Sequence, residues 1–489
     1  AGDAMAVGES YNVAIGSDTM GAVDEGSGNA NYNVAIGPDA LKGGDLGSNG
    51  DLIGNIAIGA LALDATGTTP FTGSIAIGHQ ALTAQTANSE SVAIGYQAGL
   101  ANQTGSKNVL VGYQTGVTFT DMDNCTLVGY KAGNAISHNN ADGSTFIGYN
   151  AGVANTSGDK NTYIGLNAGL ENTTGGNNTI VGANSYIDTG NVPATEHNTF
   201  IGANAANGTW TTSVSDLNTG VGSGIFQGAM NDASANSALG YNALQDLTHG
   251  DSNVAVGGYA AKDLTQGSNN TAVGYRALAL ATVNATGNVA IGKDAIYGNI
   301  ISEDVDNMVG IGISCLGGAL ESEASGTIAI GASALAALTV GAGNVAVGYQ
   351  ALQDNVDGSK CTAIGYQALK EFEADTLNHG YNTVVGYDAG REMTTGNYNV
   401  IVGSEACVSM TTGDSNTIIG SGAFSGANGD EDDNVIIGHE AGINIDEGNQ
   451  NVCIGSDAVP STAAAANQVV IGYGTTGQTV GNKPGQTQA

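Results

Sequence analysis

Between residues 91 and 116 the chain says nearly the same thing twice: SVAIGYQAGLANQTGSKNVLVGYQTG. Val92-Ala93-Ile94-Gly95-Tyr96-Gln97-Ala98-Gly99 returns seventeen residues on as Val109-Leu110-Val111-Gly112-Tyr113-Gln114-Thr115-Gly116. With the glycine of this phrase as marker, copies fall at 8, 16, 37, 59, 78, 95, 112, 129, 148, 165, 182, 202, 222, 240, 257, 274, 292, 312, 331, 348, 365, 386, 403, 420, 438, 455 and 472. Of the 26 intervals between these 27 copies, thirteen are 17 residues and twelve lie between 18 and 22. The remaining interval, of 8, reads as a partial coil at the N-terminal edge. A mosaic of globular domains does not produce so short and sustained a period; it signals a solenoid whose repeats each stack on their neighbours.

The consensus N-[VT]-A-[IV]-G-Y-x-A-[GL] assigns a task to each position. Val and Ile at −3 and −1 from the marker alternate with Ala at −2, which is the period of a strand. This sends the β-branched residues to one side and a small methyl to the other. The marker glycine allows a bend or a close backbone approach. A second short strand then carries the Ala at +3 inward, and phrases such as Thr104-Gly105-Ser106, Thr174-Gly175-Gly176 and Thr412-Gly413-Asp414 supply a turn. Each copy is therefore one coil of two short strands, and coils stacked at about 4.8 Å make a rod roughly 125 Å long. Asn at −4, as in Asn108, Asn253 and Asn270, stacks on itself as an amide ladder. Tyr96, Tyr113, Tyr130 and Tyr149 at +1 form an aromatic ladder. The Ala face at −2 is suited to close packing on another chain, which points to self-association as a homotrimer. Residues 1–472 read as one continuous array, an all-β parallel β-roll or β-solenoid of about 27 coils with a modal period of 17. Residues 473–489 (YGTTGQTVGNKPGQTQA) read as a polar tail or the start of a segment outside this chain.

Composition fits many thin cores. The 489 residues include 78 Gly, 7 Phe and one Trp, and only 11% are charged, against about 25% in an ordinary domain. A net charge of −34, from 45 acidic and 11 basic residues, disfavours nucleic acid and anionic membrane surfaces, whose phosphates need Lys and Arg. It suits a protein that stays soluble in salty water. Cys125, Cys315, Cys361, Cys407 and Cys453 show no CxxC or Cys/His metal spacing and read as buried small apolar residues. No apolar run approaches the ~18 residues of a membrane span, and no secretory signal opens the chain. The repeat is already under way at Ala1, so the chain reads as a processed product or a fragment.

The phrases Ser91-Val92-Ala93-Ile94-Gly95, Asn253-Val254-Ala255-Val256-Gly257 and Asn344-Val345-Ala346-Val347-Gly348 resemble the head repeat of trimeric autotransporter adhesins. The longer form at 344–352, NVAVGYQAL, also resembles arrays in bacteriophage tail fibres, notably of marine and cyanobacterial phages. The resemblance covers nearly the whole chain. It implies a trimer of left-handed parallel β-rolls, exposed on a virion or a bacterial surface and engaged in attachment. Adhesin heads usually have a shorter period and continue into a neck, a coiled-coil stalk and a membrane barrel. Neither heptads nor barrel strands appear here, and a phage fibre needs no membrane anchor.

Signals for chemistry are weak. None of His79, His138, His197, His249, His379 and His439 is four residues from another, as a zinc helix requires. His79 and His439 occupy +1 and read as surface or ladder substitutes for Tyr. Acidic clusters at Asp121-Met122-Asp123, Glu303-Asp304-Val305-Asp306 and Asp430-Glu431-Asp432-Asp433 offer hard oxygen ligands, and the last set is the calcium candidate, although no EF-hand loop surrounds it. A glycosidase needs two carboxylates in a groove, for which the thin coil leaves little material. No phosphate-binding loop or nucleophile elbow occurs. The 20-to-22-residue copies are the better functional candidates, and Trp210 in one of them reads either as a receptor contact or as a cover for the end of a coil.

The sequence therefore points to a non-enzymatic, extracellular or virion-borne fibre that meets a cell-surface glycan or protein receptor. A phage tail fibre is favoured. The head of a bacterial adhesin, a self-assembling extracellular filament and a fibre-borne polysaccharide depolymerase remain alternatives. No cofactor is expected apart from calcium, and no membrane insertion by this chain.

Overall fold

In the computed structural model the structure describes residues 10–21, 29–43, 51–67, 69–87, 90–137, 141–186, 195–208, 210, 213–281, 284–298, 305–374, 379–464 and 466–474. Gly8, His138, Glu303, Asp304, Thr209, Thr211 and the tail beyond 474 lie outside these residues, as do parts of most of the long copies. The chain divides into two compact units, Ala1–Asn242 with Leu247–His249, and Ala243–Asp246 with Gly250–Ala489.

Both units are parallel β-solenoids with the 17-residue modal period, and no α-helix occurs among the described residues. Each marker glycine from 16 to 472 directly follows one three-residue strand. In the first unit these run from Val13–Ile15 to Ser237–Leu239, in the second from Val254–Val256 to Val469–Ile471. Within each unit, strands pair in parallel with the copies before and after them. Val92, Ala93 and Ile94 face Val109, Leu110 and Val111 in register. Val345, Ala346 and Val347 likewise face Thr362, Ala363 and Ile364. A small second sheet of Ala30–Asn31, Leu52–Ile53 and Phe71–Thr72 joins three early coils of the first unit.

The marker must be glycine for a steric reason. Gly95 has φ +142°, and a Cβ there would lie 2.2 Å from the carbonyl oxygen of Gly112 in the next coil. The second strand expected after the marker is replaced by bends through the left-handed region. Gln97 (φ 54°) at +2, Leu82 (φ 49°) at +4 and Lys107 (φ 59°) at −5 illustrate the three positions where it recurs. Non-glycine residues rarely adopt this region, so one strand per coil with three such bends closes a loop too tight for two strands. Backbone pairing between coils continues around the bends: Gln97 N–H donates to His79 O at 2.9 Å and Gly99 N–H to Thr115 O at 2.9 Å.

The sheet faces are the reverse of the sequence expectation. Ala at −2, as in Ala35, Ala93 and Ala255, is fully buried, together with the Ala at +3. The β-branched residues at −3 and −1 point outward, and Ile94, Val109, Ile147 and Ile330 are each 37% exposed. The thin core takes Ala at −2 in many coils and a larger side chain in others, such as Leu110, Phe146 or Ile401, each fully buried. Where −2 becomes large, a neighbour shrinks. Tyr163 packs over Gly169, and Gly220 makes room for Ile225 and Phe226.

Candidate functional site

In each unit the outward sheet face recurs on every described three-residue strand. At −3 and −1 the described strands carry Val, Ile, Thr, Leu or Ser, and no Asp, Glu, Lys or Arg. In a chain of net charge −34 this is a surface kept free of charge. All-parallel sheets are ordinarily covered on both faces, and near-continuous apolar strands such as VAI and VII are the sequence mark of that cover. Here the inner face is covered by the coil and the outer one is open within the chain.

Tyrosine columns border this face. Tyr96, Tyr113, Tyr130 and Tyr149 stack with ring centroids 5.1, 5.3 and 5.0 Å apart, and His79 continues the column at 5.5 Å from Tyr96. Tyr349, Tyr366 and Tyr387 form a like column in the second unit. Beside the first, Gln114 Nε2 donates to Gln97 Oε1 and Gln97 Nε2 to Gln80 Oε1, each at 2.9 Å.

Inside the coil the Asn ladder satisfies backbone donors. Asn270 N–H donates to Asn253 Oδ1 at 3.0 Å, and Asn270 Oδ1 accepts from Asn288 N–H at 3.0 Å. Asn108 Oδ1 accepts from Cys125 N–H at 2.9 Å, while its Nδ2 donates to Met122 O. A second ladder at −6 escaped the sequence reading. Asp142 accepts from Asp123 N–H at 2.7 Å, and Asp123 accepts from Ser106 N–H at 2.6 Å. Burial raises the Asp142 carboxyl above its ordinary pKa. The signal was present in the recurrence of Asp, Asn, Ser and Thr six residues before the marker.

Two carboxylates of the calcium-candidate set are engaged by backbone, one of them through this second ladder. Asp432 accepts from Asp414 N–H at 2.8 Å, and its own N–H donates to Asn449 at 2.6 Å. Glu431 is fully buried, and its oxygens accept from the N–H groups of Asn428, Gly429 and Glu447 at 3.1–3.3 Å. These two carboxylates hold backbone, which leaves Asp430 and Asp433 exposed at the surface. Among the described residues the ligand-like group is instead His439, Glu440 and Asp457, whose ligand atoms lie within 4.8 Å of one another on the surface. Glu440 and Asp457 share position +2 in successive coils, which is how residues 17 apart meet.

Trp210 is likewise no receptor contact. It is fully buried, with its ring 5.2 Å from Tyr186 and 5.9 Å from Phe200, edge-on to both. The five cysteines are buried free thiols at ordinary repeat positions. Burial pushes Cys125 up to about 12 and Cys361 up to about 11, so both stay protonated and unreactive. No helix among the described residues is long and apolar enough to cross a membrane. No protein-family model and no curated protein matches the chain.

Proposed function

We propose that the chain is the repetitive part of a trimeric attachment fibre, most simply a phage tail fibre. The observation that carries this reading is the uncharged, mostly β-branched face repeated on the described coils. Covering the exposed third or so of two Val or Ile side chains contributes about 1–2 kcal/mol per coil, or roughly 40–80 Å² at 25 cal/mol per Å². Ten to twenty coils then supply the ~800 Å² per partner of a standard stable interface. A second copy is the natural occupant, because its own face carries the same uncharged pattern at the same spacing. Three copies let each face meet two others around one axis. The acidic residues then remain on the outer loops, where they keep a long assembly soluble.

Light scattering on the purified chain tests this together with electron microscopy. The expected mass is three times 48.3 kDa, on a thin rod. A monomeric mass at micromolar concentration overturns the self-association. A trimer that neither decorates bacterial cells nor competes with a phage for them overturns the attachment role.

A further inference from the structure

One place in the second unit breaks the repeat's own rules. At +2 most coils carry Asn, Gln, Asp or another small or polar residue, but two successive coils carry Tyr259 and Arg276, and Asp294 follows them in the next. Three of the chain's eleven basic residues, Lys262, Arg276 and Lys293, also fall within these coils. The substitutions open a surface cleft of about 220 Å³. At ~30 Å³ per water that is room for about seven waters, the scale of one sugar ring with its hydroxyls.

The walls of the cleft are ordered. Tyr259 and Tyr275 meet edge to face, with centroids 5.8 Å apart and planes at 87°, and so form an L-shaped aromatic corner. The Arg276 guanidinium lies 4.5 Å from the Tyr297 ring centre and 5.2 Å from that of Tyr275. Its Nε donates to Asp294 at 2.7 Å and its Nη1 to the Tyr297 hydroxyl at 3.4 Å, so the planar fork is fixed in place. Lys262 donates to Asp263 at 2.6 Å, and both line the cleft. Each cation has a carboxylate partner, so the site is polar without a net charge to offer an ion. An ammonium carries three donors and a guanidinium five, and each carboxylate about four acceptor positions, so hydrogen-bonding capacity remains beyond these pairs.

We infer that this cleft binds a neutral saccharide unit, with the apolar face of a pyranose against the Tyr259–Tyr275 corner and its hydroxyls shared among Arg276, Lys262 and Asp263. The corner supplies flat apolar area, and the paired charges supply donors and acceptors in alternation. A carboxylated sugar would bring a further negative charge beside Asp263 and Asp294, which already offset Lys262 and Arg276. As the receptor class of the fibre, the inference rests on the attachment reading, but saccharide binding is measured apart from assembly and from cell attachment.

The repeat supplies a mild variant. Asn stands at +2 in other coils, at Asn150, Asn167 and Asn184, each with positive φ, so Arg276→Asn and Tyr259→Asn restore an ordinary residue to the fold. The full chain is titrated by saturation-transfer NMR with maltotriose, lactose, mannotriose and chitotriose as neutral probes, and trigalacturonate as the acidic one. At least one neutral probe binds the parent chain, and Arg276→Asn and Tyr275→Ala each weaken it by about tenfold or more, as expected for Arg and Tyr anchors. Tyr96→Ala, at the same +1 position in the first unit, leaves it unchanged. No binding by any neutral probe, binding indifferent to the cleft variants, or binding of trigalacturonate alone overturns the inference. Saccharide binding by a chain that fails to attach to cells overturns the attachment reading and leaves the cleft standing.

Discussion

Replacing one marker glycine with alanine measures how tightly the coils are stacked, and the chain contains its own control five residues away. Gly331 has φ +140°, and a Cβ on it would sit 2.2 Å from the carbonyl oxygen of Gly348 in the next coil. Gly326 also has positive φ, +76°, but a Cβ there meets nothing within 4 Å. Other coils place Lys107, Asn124 and Lys360 at that same −5 position with φ near 58°. Gly331→Ala therefore combines backbone strain of about 1–3 kcal/mol with displacement of packed backbone costing another ~1–3, or about 2–6 kcal/mol in all. Gly326→Ala carries the ~1–2 kcal/mol of a left-handed alanine, offset by about 0.4–1 from a stiffer unfolded chain. Global melting is a poor readout, because long repeat arrays unfold in parts. Hydrogen exchange on peptides covering Ile328–Ile330 and Val345–Val347 reads the local opening instead. At a tenfold change per 1.36 kcal/mol, Gly331→Ala should speed exchange there by roughly 30-fold to 10⁴-fold, and Gly326→Ala by about tenfold or less. Equal effects of the two substitutions would refute the claim that carbonyl contact between successive markers fixes the glycine.

Three further outcomes follow from the same geometry. Asn270→Ala leaves the buried Asn288 N–H and Ala285 carbonyl without their side-chain partners, so local opening read by hydrogen exchange on Thr271–Val273 and Val289–Ile291 should become easier by about 2–4 kcal/mol; unchanged exchange would show that the ladder bonds contribute little. The folded chain's thiols should resist a disulfide reagent at pH 8 and react once unfolded. Because Cys125 is raised to about 12 from 9.0, the folded state holds its proton through a window in which the unfolded state has lost it, so stability is complete below pH 9 and declines from 9 toward 12; rising stability in that window would contradict the burial. Ile94→Asp places a charge on the outer face and should leave its coil folded by circular dichroism while weakening self-association, whereas Ala93→Asp, one residue earlier, should unfold its coil. Loss of fold in the first or retention of fold in the second would argue for the opposite orientation of the strand.

That last pair touches a feature of the fold that the repeat did not make legible in advance. Period, marker glycine, Asn ladder and Tyr column each follow from recurrence at a fixed spacing, which places like residues above one another whatever the coil's shape. Which side of a three-residue strand faces inward does not follow from alternation, because V-A-V read from either face is still alternation. The deciding signal lies in the exceptions. Position −2 accepts Leu110, Leu127, Phe146, Tyr163, Phe200 and Gly220, and position −3 accepts Thr126, Thr145, Thr162, Thr179 and Thr199. A hydroxyl tolerated again and again marks a side with access to water or to a hydrogen-bond partner. A column whose size swings between Gly and Tyr marks a side where volume is traded against a neighbour in a closed space. The same reasoning accounts for Trp210. A lone large ring in a thin solenoid reads as a surface anchor only if the core has no room, and the core takes the Trp210 ring edge-on against Tyr186 and Phe200. The Tyr259–Arg276 pair at +2 was visible in the same way, as a departure in a column, but its meaning depended on knowing that +2 turns through positive φ and places its side chain by the neighbouring +1 ring.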